Sequence, residues 1–127
     1  MILDSSALLA ILLGEPNGEE FLARIRTIPL GVGAPTLLET ATVLTSRRGW
    51  GSLGELEAFL QDLSVTILPF QDIHWVEAIE AHRKFGKGRH PAALNFGDCL
   101  SYAVARVAGE PLLCTGNDFT RTDLDLA

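Results

Sequence analysis

The sequence predicts an α/β domain in which a short parallel sheet carries helices on both faces. Three observations lead there. Short apolar or β-branched runs alternate with longer stretches of helical period along the chain, the signature of consecutive strand–helix units. The 127 residues form one domain of ordinary size, 1–127, without internal repeat, low-complexity tract or long linker. Hydrophobic residues make up 47% and charged residues 20%, which suits a domain with a substantial core and excludes disordered or collagen-like chains.

Each element has its own justification. Met1–Asp4 is a short apolar run closed by an acid and reads as the first strand. Ser5–Leu13 reads helical until Gly14-Glu15-Pro16 stops it. Asn17–Ile28 sets Phe21, Ile25 and Ile28 on one stripe, a second helix. Leu30–Ala34 is expected as a strand, although Gly31 and Gly33 weaken it. Thr36–Arg48 is a helix closed by Gly49-Trp50-Gly51, and Ser52–Leu63 repeats apolar residues at helical spacing (53, 56, 60 and 63). Ser64–Leu68 is β-branched and apolar, ends at Pro69, and reads as a strand. Asp72–Phe85 is helical, and Gly86–Leu94 is a loop with two glycines and a proline. Asn95–Ala108 is a helix that buries Phe96, Leu100, Ala103, Val104 and Val107. Pro111–Thr115 is a fully apolar strand, and Leu124–Leu126 is a short last strand.

Composition excludes several functions. A net charge of −6 leaves no global positive field to gather nucleic acid or an anionic membrane. Cys99 and Cys114 form no CxxC pair and have no histidine at zinc spacing, so they are expected as buried thiols of a reducing cytoplasm. The opening Met1-Ile2-Leu3-Asp4 has no basic n-region, so no signal peptide is expected. The longest apolar run, Ala7 to Leu13, is far short of the ~20 residues that span a bilayer. A cytoplasmic protein without membrane attachment is the expectation.

In parallel sheets, sites form past the carboxyl ends of the strands, near the point where strand order reverses. Asp4 follows the first strand, and Asp118 follows Pro111–Thr115 by three residues. Asp98 and Glu39 lie in the first turns of the helices at Asn95–Ala108 and Thr36–Arg48. Each acid also has an ordinary structural reading. Asp4 can cap the next helix. Thr36-Leu37-Leu38-Glu39 and Asn95-Phe96-Gly97-Asp98 match capping boxes. Asp118 sits in a Gly-Asn-Asp turn. Together the four point to more, because carboxylates brought together without Lys or Arg repel one another and call for cations. Hard oxygen donors suit Mg²⁺ or Mn²⁺, which clamp phosphate oxygens. An acidic protein can cut an anionic polymer in this way.

Four segments carry a family resemblance: Ile2-Leu3-Asp4-Ser5-Ser6-Ala7-Leu8, Leu37-Leu38-Glu39-Thr40, Leu94-Asn95-Phe96-Gly97-Asp98-Cys99, and Pro111-Leu112-Leu113-Cys114-Thr115-Gly116-Asn117-Asp118-Phe119. Their order resembles the PIN-domain ribonucleases, and more narrowly the VapC toxins of VapBC toxin–antitoxin pairs. Gly86-Lys87-Gly88-Arg89-His90-Pro91-Ala92 is similar to a loop in one branch of that group. The resemblance implies a three-layer α/β/α fold and a metal-dependent endoribonuclease. It implies that Asp4, Glu39, Asp98 and Asp118 are catalytic and hold Mg²⁺ or Mn²⁺, with Glu39 completing the set or orienting water. It gives Ser6, Thr115 and Asn117 supporting roles. Many relatives carry a second acid where this chain has Asn117, which leaves the ligand count at a second metal position open. The implied partners are an RNA substrate, transfer or ribosomal, and a VapB-type antitoxin. The implied assembly is a homodimer that forms a heterotetramer or larger complex with the antitoxin.

Arg83, Lys84, Lys87 and Arg89 fall within seven positions of a chain with ten Lys and Arg, and Lys87 and Arg89 are candidate RNA-backbone contacts. The alternative is a solvated helix end whose cations complement the helix dipole, the reading preferred for Arg47 and Arg48. His74 and His82 are expected on a helix surface, and Trp50 and Trp75 packed against their own domain. The stripes Leu8–Leu12 and Phe21–Ile25 are either groove walls or ordinary core. Competing functions are a catalytically inactive PIN-like binding module and a DNA-directed nuclease. A receiver domain or an aspartyl-nucleophile phosphatase fits less well, because Ser6 stands where the latter would need an acid.

Overall fold

Strands and helices follow one another as β1 (Ile2–Leu3), α1 (Ser5–Leu12), α2 (Gly18–Ile25), β2 (Gly31–Gly33), α3 (Ala34–Arg48), α4 (Leu53–Asp62), β3 (Thr66–Leu68), α5 (Asp72–Phe85), α6 (Phe96–Ala108) and β4 (Leu112–Leu113), in a computed structural model that describes residues 1–127. A 3₁₀ turn at Trp50–Ser52 leads into α4. The strands form one parallel sheet in the order β3-β2-β1-β4. The chain therefore steps outward from β1 through β2 to β3, then returns to the other side of β1 with β4. The reversal falls between β1 and β4, so the ends of those two strands are where the topology opens a site.

The strands are short, and their two faces serve two cores. Ile2 and Leu112 point to one side, with Leu94, Tyr102, Val104 and Phe119. Leu3 and Leu113 point to the other, with Leu8, Phe21, Ile25 and Val32. This is the period-two alternation of a strand, repeated in adjacent strands. Helices α5 and α6 cover the first face and α1 and α2 the second, which makes three layers. Leu3, Leu8, Leu112 and Leu113 are fully buried, and each such side chain contributes ~1.5–3 kcal/mol of hydrophobic stabilisation. Leu8, Phe21 and Ile25 thus belong to the core, the second of the two readings of their stripes.

Glycine permits β2 where the sequence made it doubtful. A Cβ on Gly33 would stand 2.8 Å from Val104 Cγ2, so its absence lets α6 lie against the strand. Helix α3 begins at Ala34, two residues before the expected start, with Gly33 as N-cap. Thr36 is therefore inside the helix and buried, and the expected Thr36–Glu39 capping box does not form. The Asn95–Asp98 box does form. The expected last strand reduces to one bridge, Leu112 to Leu126.

Several side-chain placements differ from expectation, among them Phe96, expected on the buried face of α6 but 82% exposed at its first position, where the helix start projects beyond the core. His74 is buried and not on the surface, because its Nδ1 accepts the Gln71 N–H at 3.0 Å in a cap of α5. Trp50 is 80% exposed on the turn before α4 and does not pack into its own domain, while Trp75, 58% exposed on α5, lies at an edge and not in the core. Cys99 is buried, Cys114 only half-buried, and both are free thiols. No helix is long and apolar enough to cross a membrane.

Candidate active site

Asp4 is the first residue after β1, and its side chain is the most constrained of the four acids. It caps α1 with an extended backbone, its Oδ2 accepting the Ser6 N–H at 3.0 Å and the Ser6 hydroxyl at 2.6 Å. Its Oδ1 accepts the Ser101 hydroxyl from α6 at 2.6 Å. The carboxylate is 5% exposed, and three donors offset the cost of burying its charge. Ser6 Oγ in turn accepts the Thr115 N–H at 3.0 Å, which ties the segment after β4 to the start of α1. Thr115 makes this contact through its backbone. Capping and site formation are one and the same placement here.

Asp98 reaches the same region from α6. Its Oδ2 accepts the Asn95 N–H at 3.0 Å, and its own N–H donates to Asn95 Oδ1 at 2.9 Å. Burial pushes its carboxyl up to about 6, a rise that the Asn95 hydrogen bond opposes and the charges of Asp118, Asp4 and Glu39 reinforce. Asp4, Glu39 and Asp118 thus all lie close enough for their charges to reach Asp98. The half-buried Cys114 thiol registers the same field: burial, then Asp4, Asp118 and Asp98, raises it to about 11.

Glu39 and Asp118 complete the edge. Glu39 is exposed on α3 with its carboxylate against the first turn of α6, where a Cβ on Gly97 would stand 2.4 Å from its Oε2. Asp118 is exposed in the turn after β4, closed by Thr120 Oγ1 donating to the Asn117 carbonyl at 2.8 Å. Asn117 is exposed beside it. None of the four acids is ion-paired with Lys, Arg or the N-terminus, whereas the structure's ion pairs lie elsewhere. No three His, Cys, Asp or Glu side chains stand grouped as a set that could hold a metal ion. The chemistry of the donors still suits a hard divalent cation: all are carboxylate oxygens, three of them act on Asp98 as like charges, and no protein cation neutralises them.

Two hydroxyls escaped the sequence reading. Ser101 is 1% exposed and Thr36 2%, and their oxygens lie 3.1 Å apart behind Asp4. A signal existed for Ser101, since it follows Asp98 by three residues and so shares its helix face. Thr36 carried none beyond its expected capping role.

The basic loop stands apart from the acids. Lys87 and Arg89 are exposed and pair with no carboxylate. Arg83, in contrast, is held by Glu80 at 2.8 Å, and the bond raises the guanidinium and lowers the carboxyl. Lys87 lines an apolar groove of about 680 Å³ between α5 and α6, together with Trp75, Ile79, Asn95 and Phe96. Phe96 is 82% exposed at the first position of α6, two residues from Asp98.

Comparison with known proteins agrees with this architecture. The PIN domain family model matches residues 1–124. A ribonuclease VapC of Mycolicibacterium smegmatis is 42% identical over 125 residues, covering 98% of this chain and 97% of the relative. Among solved structures, Mycobacterium tuberculosis VapC20, a toxin described as cleaving the sarcin–ricin loop, superposes with a TM-score of 0.79 at 19% identity, covering 99% of this chain and 97% of that one. VapBC2 of Rickettsia felis, solved with a DNA fragment of its promoter, does so at 0.79 and 14%, covering 99% and 96%.

Proposed function

Since the chain belongs to the PIN-domain family, we propose that it is a VapC-type toxin: a Mg²⁺- or Mn²⁺-dependent endoribonuclease restrained by a VapB-type antitoxin. The observation that carries the reading is the convergence of Asp4, Glu39 and Asp118 on Asp98: their charges reinforce the rise that burial gives the Asp98 carboxyl, and none of the four has a cation partner. The names of the relatives as ribonucleases support the reaction class. The solved toxin–antitoxin complexes of similar fold support an antitoxin partner.

The reaction is phosphodiester hydrolysis, in which a water oxygen joins phosphorus and the bond to the leaving sugar oxygen breaks. A hard divalent cation, when bound, polarises the phosphate and offsets charge on the leaving oxygen. Asp4, Asp98 and Asp118 would hold it, and Glu39 would complete the set or orient the water. Ser6 holds Asp4 through two hydrogen bonds and is itself held by the Thr115 N–H. Asn117 stands beside Asp118 as a further polar contact. Lys87 and Arg89, unpaired and exposed, would meet the RNA backbone. The substrate class is structured RNA, transfer or ribosomal. A homodimer, and with antitoxin a heterotetramer or larger, is the assembly in keeping with the exposed Trp75, Ile79 and Phe96 beside the site.

The test is to incubate the purified, antitoxin-free chain with total cellular RNA, with Mg²⁺, with Mn²⁺ and with EDTA, beside Asp98→Asn. New RNA ends are mapped by sequencing. Discrete cuts that need the metal and vanish in the variant are expected. Folded protein that neither cuts nor binds metal would instead identify an inactive, partner-binding module.

A further inference from the structure

Asp4 is held at both oxygens, and the two grips come from different helices. Ser6 of α1 occupies Oδ2, and Ser101 of α6 occupies Oδ1. A carboxylate held at both ends cannot rotate about its Cβ–Cγ bond. The proton directions are forced. Ser101 has one hydroxyl proton and gives it to Asp4 at 2.6 Å. The 3.1 Å contact between Thr36 and Ser101 is therefore made by the Thr36 proton, so the order runs Thr36 to Ser101 to Asp4. Both hydroxyl groups are buried from water, where such a chain polarises along its length. Ser101 also lies on the helix that carries Asp98, three residues further on, so its bond sets the spacing between two acids contributed by separate elements.

We propose that Ser101, oriented by Thr36, is a positioning residue that fixes the Asp4 carboxylate relative to Asp98 and so sets the affinity of the acidic site for a divalent cation. This rests on the reading of the four acids as a cation site. Ser101 touches neither cation nor RNA and acts through Asp4. It joins Ser6 as a support, but from α6 and from the opposite oxygen.

The test is a Mn²⁺ titration of the purified full chain and its variants, read by the free Mn²⁺ signal in electron paramagnetic resonance. Unfolding in EDTA is followed in parallel. Ser101→Ala is expected to weaken Mn²⁺ binding about 10-fold, the low end of the effect of removing an outer partner of a ligand. Thr36→Val, which replaces the hydroxyl by a methyl, is expected to weaken it about threefold, while Thr36→Ser, which keeps the hydroxyl, stays within about twofold of wild type. Adding Thr36→Val to Ser101→Ala should change nothing more, because Thr36 acts through Ser101. A purely structural role would lower stability in EDTA and leave Mn²⁺ affinity unmoved. Wild-type affinity in Ser101→Ala overturns the proposal while leaving the cation site intact. Additive loss in the double variant overturns the relay from Thr36. If wild type itself binds no Mn²⁺, the cation site falls and this proposal with it. Should Ser101→Ala fail to fold, Thr36→Val decides: unchanged Mn²⁺ affinity there overturns the proposal.

Discussion

Replacing Asp98 by Asn should stabilise the metal-free protein, and the gain should depend on pH in a defined window. The Asp98 carboxyl is held at about 6 against an ordinary 3.8. Between these values the folded chain keeps a proton that the unfolded chain has released, so stability falls as pH rises through the window. The loss is complete above about 6 and absent below the ordinary value. The gap between 3.8 and about 6 corresponds to about 3 kcal/mol at 1.36 kcal/mol per pH unit, which is a ceiling. Asp98 is only half-buried, and solvent screening reduces this to about 1–1.5 kcal/mol. Asparagine keeps an acceptor for the Asn95 N–H and removes the repulsion from Asp4, Glu39 and Asp118. Urea unfolding in EDTA from pH 4 to 8 should show a variant advantage that grows between pH 4 and 6 and then stays level. Mn²⁺ should reverse the order, since a cation at 100 times its Kd adds about 2.7 kcal/mol to wild type alone. An advantage that does not vary with pH, or a variant less stable than wild type at pH 7, would refute the raised Asp98 carboxyl, which burial causes first and the charges of Asp118, Asp4 and Glu39 reinforce.

Two other perturbations probe the edges of the site. Gly97→Ala places a methyl where Glu39 Oε2 now lies 2.4 Å away, and the exposed end of a flexible side chain must give way. RNA cleavage should fall about 10-fold, as for other disturbed ligand surroundings, while melting temperature holds or rises because alanine is the better helix former. A joint loss of fold and activity would count against this account of Glu39. Lys87→Gln with Arg89→Gln should flatten the dependence of log K for RNA on log salt by about 1.4–1.8, the loss of two phosphate contacts, and filter binding across a salt series reads it. An unchanged slope would return these residues to the role of a solvated loop.

The division between what one dimension contains and what only three dimensions decide can be read from particular residues. Strand–helix alternation, the placement of Asp4 and Asp118 after strands, and the Asn95–Asp98 cap were all legible, because each depends on neighbours within a few positions. Gly31 and Gly33 argued against a strand locally, and a tertiary fact overruled them: α6 needs the space a Cβ at 33 would fill. Thr36-Leu37-Leu38-Glu39 matched a capping box, yet the helix starts at Ala34 and Thr36 turns inward to Ser101. His74 looked like a surface residue, but its ring closes a cap and is buried, while Trp50 and Trp75 stand out in solvent. The sequence by itself determined the layered α/β class, the order of its elements and the identity of four acids at their ends, since periodicity and turn chemistry act over short spans. Only the tertiary structure decided which carboxylate is buried and which exposed. It also decided that two hydroxyls from α3 and α6 meet behind Asp4, a contact spanning 65 residues between Thr36 and Ser101 and 97 between Asp4 and Ser101, which no local pattern encodes.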